Sequence, residues 1–142
     1  MEDREFKTRV MTLRIIWFAL LMGQIVFAAV VLFILPPQRR QNPDMLRLMF
    51  WIVLAMLLIL VPLGLIVRKI IYRGGMDQSG AVSPQAYATG MIVFLAMCEG
   101  VGFFGLVCTM LNGGPGPHLV VAVTAMAIQL VSFPTGSPMR SR

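Results

Sequence analysis

Charged residues are scarce in this chain of 142 residues: they make up 13 % of it, whereas hydrophobic residues make up 58 %. A soluble domain carries roughly 25 % charged and 45–50 % apolar residues, so both fractions indicate a membrane protein instead. The mean hydropathy of +0.82 agrees. The net charge of +6 does not indicate nucleic-acid binding, because the basic residues lie between apolar runs and do not share a face with aromatic residues. We therefore expect no nucleic-acid partner.

Histidine, cysteine and acidic residues are also few, at one, two and six. A single imidazole, His118, cannot form a bis-histidine haem site, and we expect it at the outer membrane surface. Cys98 and Cys108 would be about 15 Å apart on one helix, too far for a disulfide bond. The sequence has no Ser/His/Asp or Cys/His set and no metal-spaced cluster. We predict that the chain is not an enzyme and uses no metal or cofactor.

Long apolar runs dominate what remains. They cover residues 15–35, 48–67, 86–111 and 117–133. A helix needs about 20 residues to cross a hydrocarbon core of about 30 Å, so the first three qualify by length. The fourth run is marginal and could be re-entrant or half-buried. We interpret it as a short span, because its polar side chains suit contact with protein and a fourth crossing returns the tail to its starting side. The sequence predicts one transmembrane domain over 1–142, an all-α antiparallel bundle of four helices.

The basic residues predict the orientation of the bundle. Three of the twelve, Arg39, Arg40 and Arg47, lie between the first two runs, and the other nine lie on the opposite side of the membrane. The positive-inside rule then places both termini in the cytoplasm, with the chain in the inner membrane. The first run is longer than a signal-peptide core and lacks a small-residue cleavage site, so we expect it to be retained.

One carboxylate, Glu99, lies near the middle of the third run. An ionised acid at that depth costs about 2.5–3.5 kcal/mol, while the roughly ten Leu, Ile, Phe and Val residues of the run return about 3–6 kcal/mol. The helix should therefore insert, with the carboxyl group protonated when unpaired. Small residues surround it: Ala96 and Gly102 lie beside it on the helix, and an adjoining small-residue stripe follows. That stripe consists of Cys98, Gly102, Gly105 and Thr109. Because such stripes let helices approach closely, we expect Glu99 to face protein or a cavity.

Two other runs offer partners for this helix. Ala122, Ala125 and Gln129 recur with heptad-like spacing in the fourth run and predict a packing seam. Counted from the cytoplasmic starts of their helices, we expect Gln24 and Glu99 to lie at about the same level. Gln129 lies nearer the cytoplasmic edge by the same count. We therefore expect Gln24 to be the hydrogen-bond partner of Glu99.

Residues 99–107, Glu-Gly-Val-Gly-Phe-Phe-Gly-Leu-Val, resemble the Glu-x4-Tyr-Gly-Leu-Val segment of the proteolipid (c) subunits of rotary ATPases. The resemblance implies that Glu99 binds a proton or cation at mid-membrane. It also makes Gln24 comparable with the glutamine that sodium-binding members use. Phe104 stands where that family has Tyr. Over its whole length the chain resembles small bacterial four-span membrane proteins.

Two functions follow as hypotheses. The first is a structural or assembly component in the lipid bilayer, associated with itself or with a larger membrane complex through the small-residue faces of spans three and four. The alternative is a proteolipid-like protein that handles protons or cations through Glu99, with Gln24 as a second ligand.

Overall fold

The computed structural model describes residues 2–34 and 42–139, with side chains from residue 6 onward. Within these ranges the chain is all-α, as predicted. Its β structure within the same ranges is limited to one isolated β-bridge between Met76 and Val82. A π-helix, Val30–Ile34, extends the first α-helix, and a 3-10 helix, Ser137–Met139, follows the last. The four α-helices of the described residues are α1 (Glu2–Ala29), α2 (Pro43–Gly74), α3 (Pro84–Leu111) and α4 (Pro117–Val131).

Capping residues and prolines define where the helices begin. The Asn42 side chain accepts a hydrogen bond from the Asp44 amide at 3.0 Å, and the Ser83 hydroxyl accepts one from the Ala86 amide at 3.3 Å. Each cap is followed directly by proline, whose missing N–H is not needed in the first turn. The same local chemistry therefore starts both α2 and α3.

Three helices are long and apolar enough to cross a membrane: 6–34, 43–74 and 84–111, with 29, 32 and 28 residues. They extend beyond the apolar runs because a helix continues into the interfacial region, where polar residues are accommodated. The predicted end of the first span at residue 35, and Arg39 and Arg40 of the following loop, lie outside the described residues. The fourth helix has 15 residues, about 22 Å at 1.5 Å per residue. It ends at Val131, before the predicted 133.

The centre of the molecule is α3. Half of its most apolar 18-residue window is buried, compared with 11 % for α1 and 17 % for α2. At one end of the α2–α3 contact, the Tyr72 and Tyr87 rings stack with their centroids 5.5 Å apart. At the other end, Val53 of α2 and Cys108 of α3 are both fully buried in one cluster. The other three helices are thus arranged around α3.

Residues 132–139 leave the α-helical form, and several of their backbone groups bond to other parts of the chain. Arg14 Nε donates to the Pro134 carbonyl at 3.3 Å, and the Gly136 amide donates to the Tyr87 hydroxyl at 3.1 Å. The Val82 amide donates to the Pro138 carbonyl at 2.8 Å. Irregular backbone at membrane depth is tolerated only where protein supplies such partners. We call residues 132–139 the terminal segment.

Candidate functional site

Glu99 lies about 2 Å from the midpoint of α3, on the basis of the helix bounds. Its side chain is half-buried and makes no hydrogen bond or ion pair with any described residue. Ala96 and Gly100, its neighbours on the helix surface, are exposed, and Ile92 is 40 % exposed. A Cβ atom added to Gly100 would meet nothing within 4 Å. We call this surface, formed by Ile92, Ala96, Glu99 and Gly100, the open face of α3.

The open face corrects one expectation. Glu99 was expected to face protein or a cavity, but it is half-buried beside an exposed surface that includes Ala96 and Gly100. The small residues that surround Glu99 lie on two sides of the helix. Gly102 follows Glu99 by three residues, about 60° around the helix axis, and it is buried whereas Ala96 is exposed. Sequence spacing alone could not distinguish the covered side from the uncovered one.

Gln24 meets Gln129, and the predicted contact between Gln24 and Glu99 is wrong. Gln24 Nε2 donates to Gln129 Oε1 at 2.9 Å, and both side chains are fully buried. Gly102 makes room for them, since a Cβ atom there would lie 2.7 Å from Gln24 Oε1. The depth estimate was close, since Gln24 lies against Gly102, one turn of α3 from Glu99. The prediction failed because Gly102 and Glu99 lie on different sides of α3, about 60° apart around the helix axis.

The amide pair, Gln24 and Gln129, forms a small polar core that is incompletely satisfied. Gln24 Oε1 and Gln129 Nε2 are buried and have no hydrogen-bond partner among the described residues. Trp17 Nε1 donates to the Gln129 backbone carbonyl at 2.8 Å, so the same residue of α4 is held twice by α1. Unpaired polar atoms in an apolar interior cost free energy. The pair therefore fixes how α1 and α4 sit against each other at some cost in stability.

The small-residue stripe of α3 is used inside the chain. Its four members, Cys98, Gly102, Gly105 and Thr109, are all buried, as are Ala122 and Ala125 of α4. A Cβ atom on Gly105 would lie 3.0 Å from Ala122 Cβ and 3.2 Å from the Ala122 backbone nitrogen. The other three helices cover the stripe and α3 covers Ala122 of the seam. These faces are therefore not available to another molecule.

His118 is the second residue of α4 and is buried at 2 % exposure, which the sequence reasoning did not anticipate. Its Nε2 atom lies 3.1 Å from the Leu46 carbonyl oxygen. Because a carbonyl only accepts, Nε2 carries the proton in this contact. The other ring nitrogen, Nδ1, is buried without a partner, and the Phe50 ring packs edge-on 5.9 Å away. The spacing of His118 four residues before Ala122 was the signal that it belongs to the seam.

The described residues contain no cluster that suits a metal ion, and the chain shows no significant similarity to known proteins. Within residues 2–34 and 42–139, no group of three or more His, Cys, Asp or Glu side chains could hold a metal ion. The chain has no significant match to a protein-family model, a curated protein or a solved structure. Functional inference therefore rests on Glu99, the amide pair and the surfaces around them.

Proposed function

We propose that the chain is a structural or assembly component of a membrane and that it acts by helix–helix association through the open face of α3. The observation that carries the proposal is Glu99, half-buried near mid-span without a partner among residues 2–34 and 42–139. Lipid tails offer a carboxyl group no hydrogen bond, and an acid at the bilayer centre costs about 2.5–3.5 kcal/mol. A protein surface that pairs with Glu99 removes part of that cost.

The partner that suits this face is a second copy of the chain. Two copies related by a two-fold axis would bring two Glu99 side chains together, and protonated carboxyl groups both donate and accept hydrogen bonds. Ala96 and Gly100 would let the two α3 helices approach closely, as small residues do in membrane helix dimers. A different membrane protein with a polar group at the same depth is the alternative occupant.

The arrangement that accompanies this function is an antiparallel four-helix bundle with both termini in the cytoplasm. The order of contacts supports it: the end of α2 meets the start of α3 at Tyr72 and Tyr87, and the first third of α2 meets the end of α3 at Val53 and Cys108. Nine of the twelve basic residues on one side support the orientation. The terminal segment, several of whose backbone groups bond to other parts of the chain, supplies the length that α4 lacks for a fourth crossing.

Proton or cation handling by Glu99 is the alternative function, and the position of the same carboxyl group supports it. The carboxyl group lies on the open face of α3, where a neighbouring subunit could complete an ion-binding site. Gln24 is already bonded to Gln129. Any further ligands for an ion would therefore come from the neighbouring subunit.

Oligomer size in lipid nanodiscs or mild detergent tests the proposal. We expect the wild type to form dimers and Gly100→Leu to prevent them by filling the open face. We expect Glu99→Leu to weaken association by about tenfold, because interhelical hydrogen bonds in membranes contribute up to about 1.7 kcal/mol. Val120→Leu, on a side chain that is 67 % exposed on α4, is the matched control and should dimerise like the wild type.

The two functions give different results with the same variants. If Gly100→Leu and Glu99→Leu both keep the oligomer distribution of the wild type, association through the open face is wrong. Dicyclohexylcarbodiimide labels protonated carboxyl groups in apolar surroundings. Labelling of Glu99, together with a proton leak in proteoliposomes that Glu99→Gln abolishes, would support ion handling. Equal leaks from the wild type and Glu99→Gln would exclude it.

A further inference from the structure

A cleft of about 290 Å³ opens between the end of α2, the start of α3 and the terminal segment. Arg68, Tyr72 and Tyr87 line its polar side, and Val131 and Phe133 line its apolar side. Its volume is at the lower end of the range found for small-ligand sites. Neither Glu99 nor the amide pair contributes to it.

Arg68 brings an uncompensated positive charge to the cleft. Its guanidinium carbon lies 4.9 Å from the centre of the Phe94 ring and 6.0 Å from that of Tyr72, and Nη1 lies 3.7 Å from the Met91 sulfur. These contacts hold the group in place, but none carries a negative charge. Within the part of the chain that the structure describes, Arg68 makes no ion pair. The guanidinium therefore retains its capacity to bind an anion.

Two phenol groups add hydrogen-bond donors. The Tyr72 hydroxyl is buried and has no hydrogen-bond partner within the described part of the chain. The Tyr87 hydroxyl accepts from the Gly136 amide, which leaves its own proton available to donate. Gly90 fixes this arrangement, since a Cβ atom there would lie 2.7 Å from Tyr72 Cε1 and 3.2 Å from Arg68 Cγ. A guanidinium with neighbouring hydroxyl donors suits the oxygen atoms of a phosphate group.

We propose that this cleft binds a phosphate-bearing anion, with Arg68 neutralising its charge and Tyr72 and Tyr87 donating to its oxygens. The apolar side favours a phospholipid as the source, because Val131 is 83 % exposed and Phe133 is 42 % exposed beside the polar groups. Arg68 directly follows the apolar run of α2, which ends at residue 67, so it lies at headgroup depth. A soluble phosphate compound would share the headgroup chemistry but would not use the apolar side.

Thermal unfolding of the full chain in detergent micelles tests the site. The probes are phosphatidylglycerol, phosphatidylcholine and inorganic phosphate. Arg68→Gln removes the charge in the cleft, and Lys69→Gln is its matched control, with the same loss of charge on the adjacent, exposed residue. We expect phosphatidylglycerol to raise the Tm of the wild type and of Lys69→Gln, and its affinity for Arg68→Gln to fall about tenfold or more. We expect phosphatidylcholine to have a weaker effect, since its headgroup carries no net charge.

Inorganic phosphate separates the two sources. A rise in Tm with phosphatidylglycerol alone assigns the site to a lipid, whereas an equal rise with inorganic phosphate assigns it to a soluble phosphate compound. If Arg68→Gln does not fold, Tyr72→Phe replaces it. This variant removes only the unpaired hydroxyl, so it should fold at least as stably without lipid and bind phosphatidylglycerol more weakly. Equal lipid affinities in all variants, or equal losses in Arg68→Gln and Lys69→Gln, would overturn the proposal.

Discussion

Replacing either glutamine of the amide pair with methionine should destabilise the protein, because each substitution leaves the other glutamine without its partner. Gln24→Met removes the amide that donates to Gln129 Oε1 at 2.9 Å. Because Gln129 Nε2 has no partner among the described residues in the wild type, both polar atoms of the fully buried Gln129 side chain then become unpaired. Interhelical hydrogen bonds in membranes average about 0.6 kcal/mol, and an unpaired buried polar group costs about 1–3 kcal/mol. We expect each single substitution to cost about 1–2 kcal/mol.

The double substitution Gln24→Met with Gln129→Met should be much less harmful. It removes the hydrogen bond together with the two polar atoms that the wild type leaves unpaired, and methionine fills a similar, unbranched volume. We expect its free energy of unfolding to lie within about 1 kcal/mol of the wild type. The coupling energy between the two positions should then be at least about 1 kcal/mol.

Unfolding in mixed micelles with increasing sodium dodecyl sulfate, followed by tryptophan fluorescence, measures these free energies. Thr124→Val is a suitable control, since the exposed Thr124 hydroxyl bonds only to the Val120 carbonyl of its own helix. It should change stability by no more than about 0.5 kcal/mol. If the double variant loses as much stability as the two single variants combined, the amide groups do not interact and the described contact is refuted.

Two further predictions concern backbone contacts. Gly105→Ala should cost about 1–3 kcal/mol in the same unfolding assay, because the added Cβ would press on the Ala122 backbone; Gly23→Ala, whose Cβ would meet nothing within 4 Å, should cost no stability. The Ser79 hydroxyl, with the Ala81 amide, holds the pKa of the Asp77 carboxyl below its usual range. The bonds of ionised Asp77 should therefore persist above pH about 4 and weaken as pH falls through the lowered pKa. Amide exchange at Ser79 and Ala81, expressed as a protection factor relative to the intrinsic rate at each pH, should show lower protection in acid, and at neutral pH in Asp77→Asn. Protection factors that neither change lowers would contradict the prediction.

Local pattern was enough to predict the helical class, because apolar run length depends on neighbouring residues only. Helical periodicity put Gly102 and Gly105 on one stripe, but it could not show that this stripe is covered while Ala96 and Gly100 are exposed. The partner of Gln24 could not be predicted in the same way. It depends on the rotation of α1, which is set by contacts of Trp17 and Gln24 with α4, more than 100 residues away in the sequence.

The cleft beside Arg68 could not be predicted from the sequence for a similar reason. In the sequence, Arg68 is one of several basic residues that follow an apolar run, and such residues are typical topology signals. Its neighbours Tyr87 and Phe133 come from a different helix and from the terminal segment. Only the packed chain shows that these residues surround a single space.

The hydrogen bonds of the terminal segment also bear on how the protein inserts into the membrane. Helices α1, α2 and α3 satisfy their own backbone groups and can each enter the bilayer as a separate unit. The Pro134 and Pro138 carbonyls and the Gly136 amide depend instead on Arg14, Val82 and Tyr87. Passage of the terminal segment into the bilayer should therefore follow the packing of α1 against α3. A variant that delays that packing would leave α4 at the membrane surface, exposed to membrane proteases, even though its own sequence is unchanged.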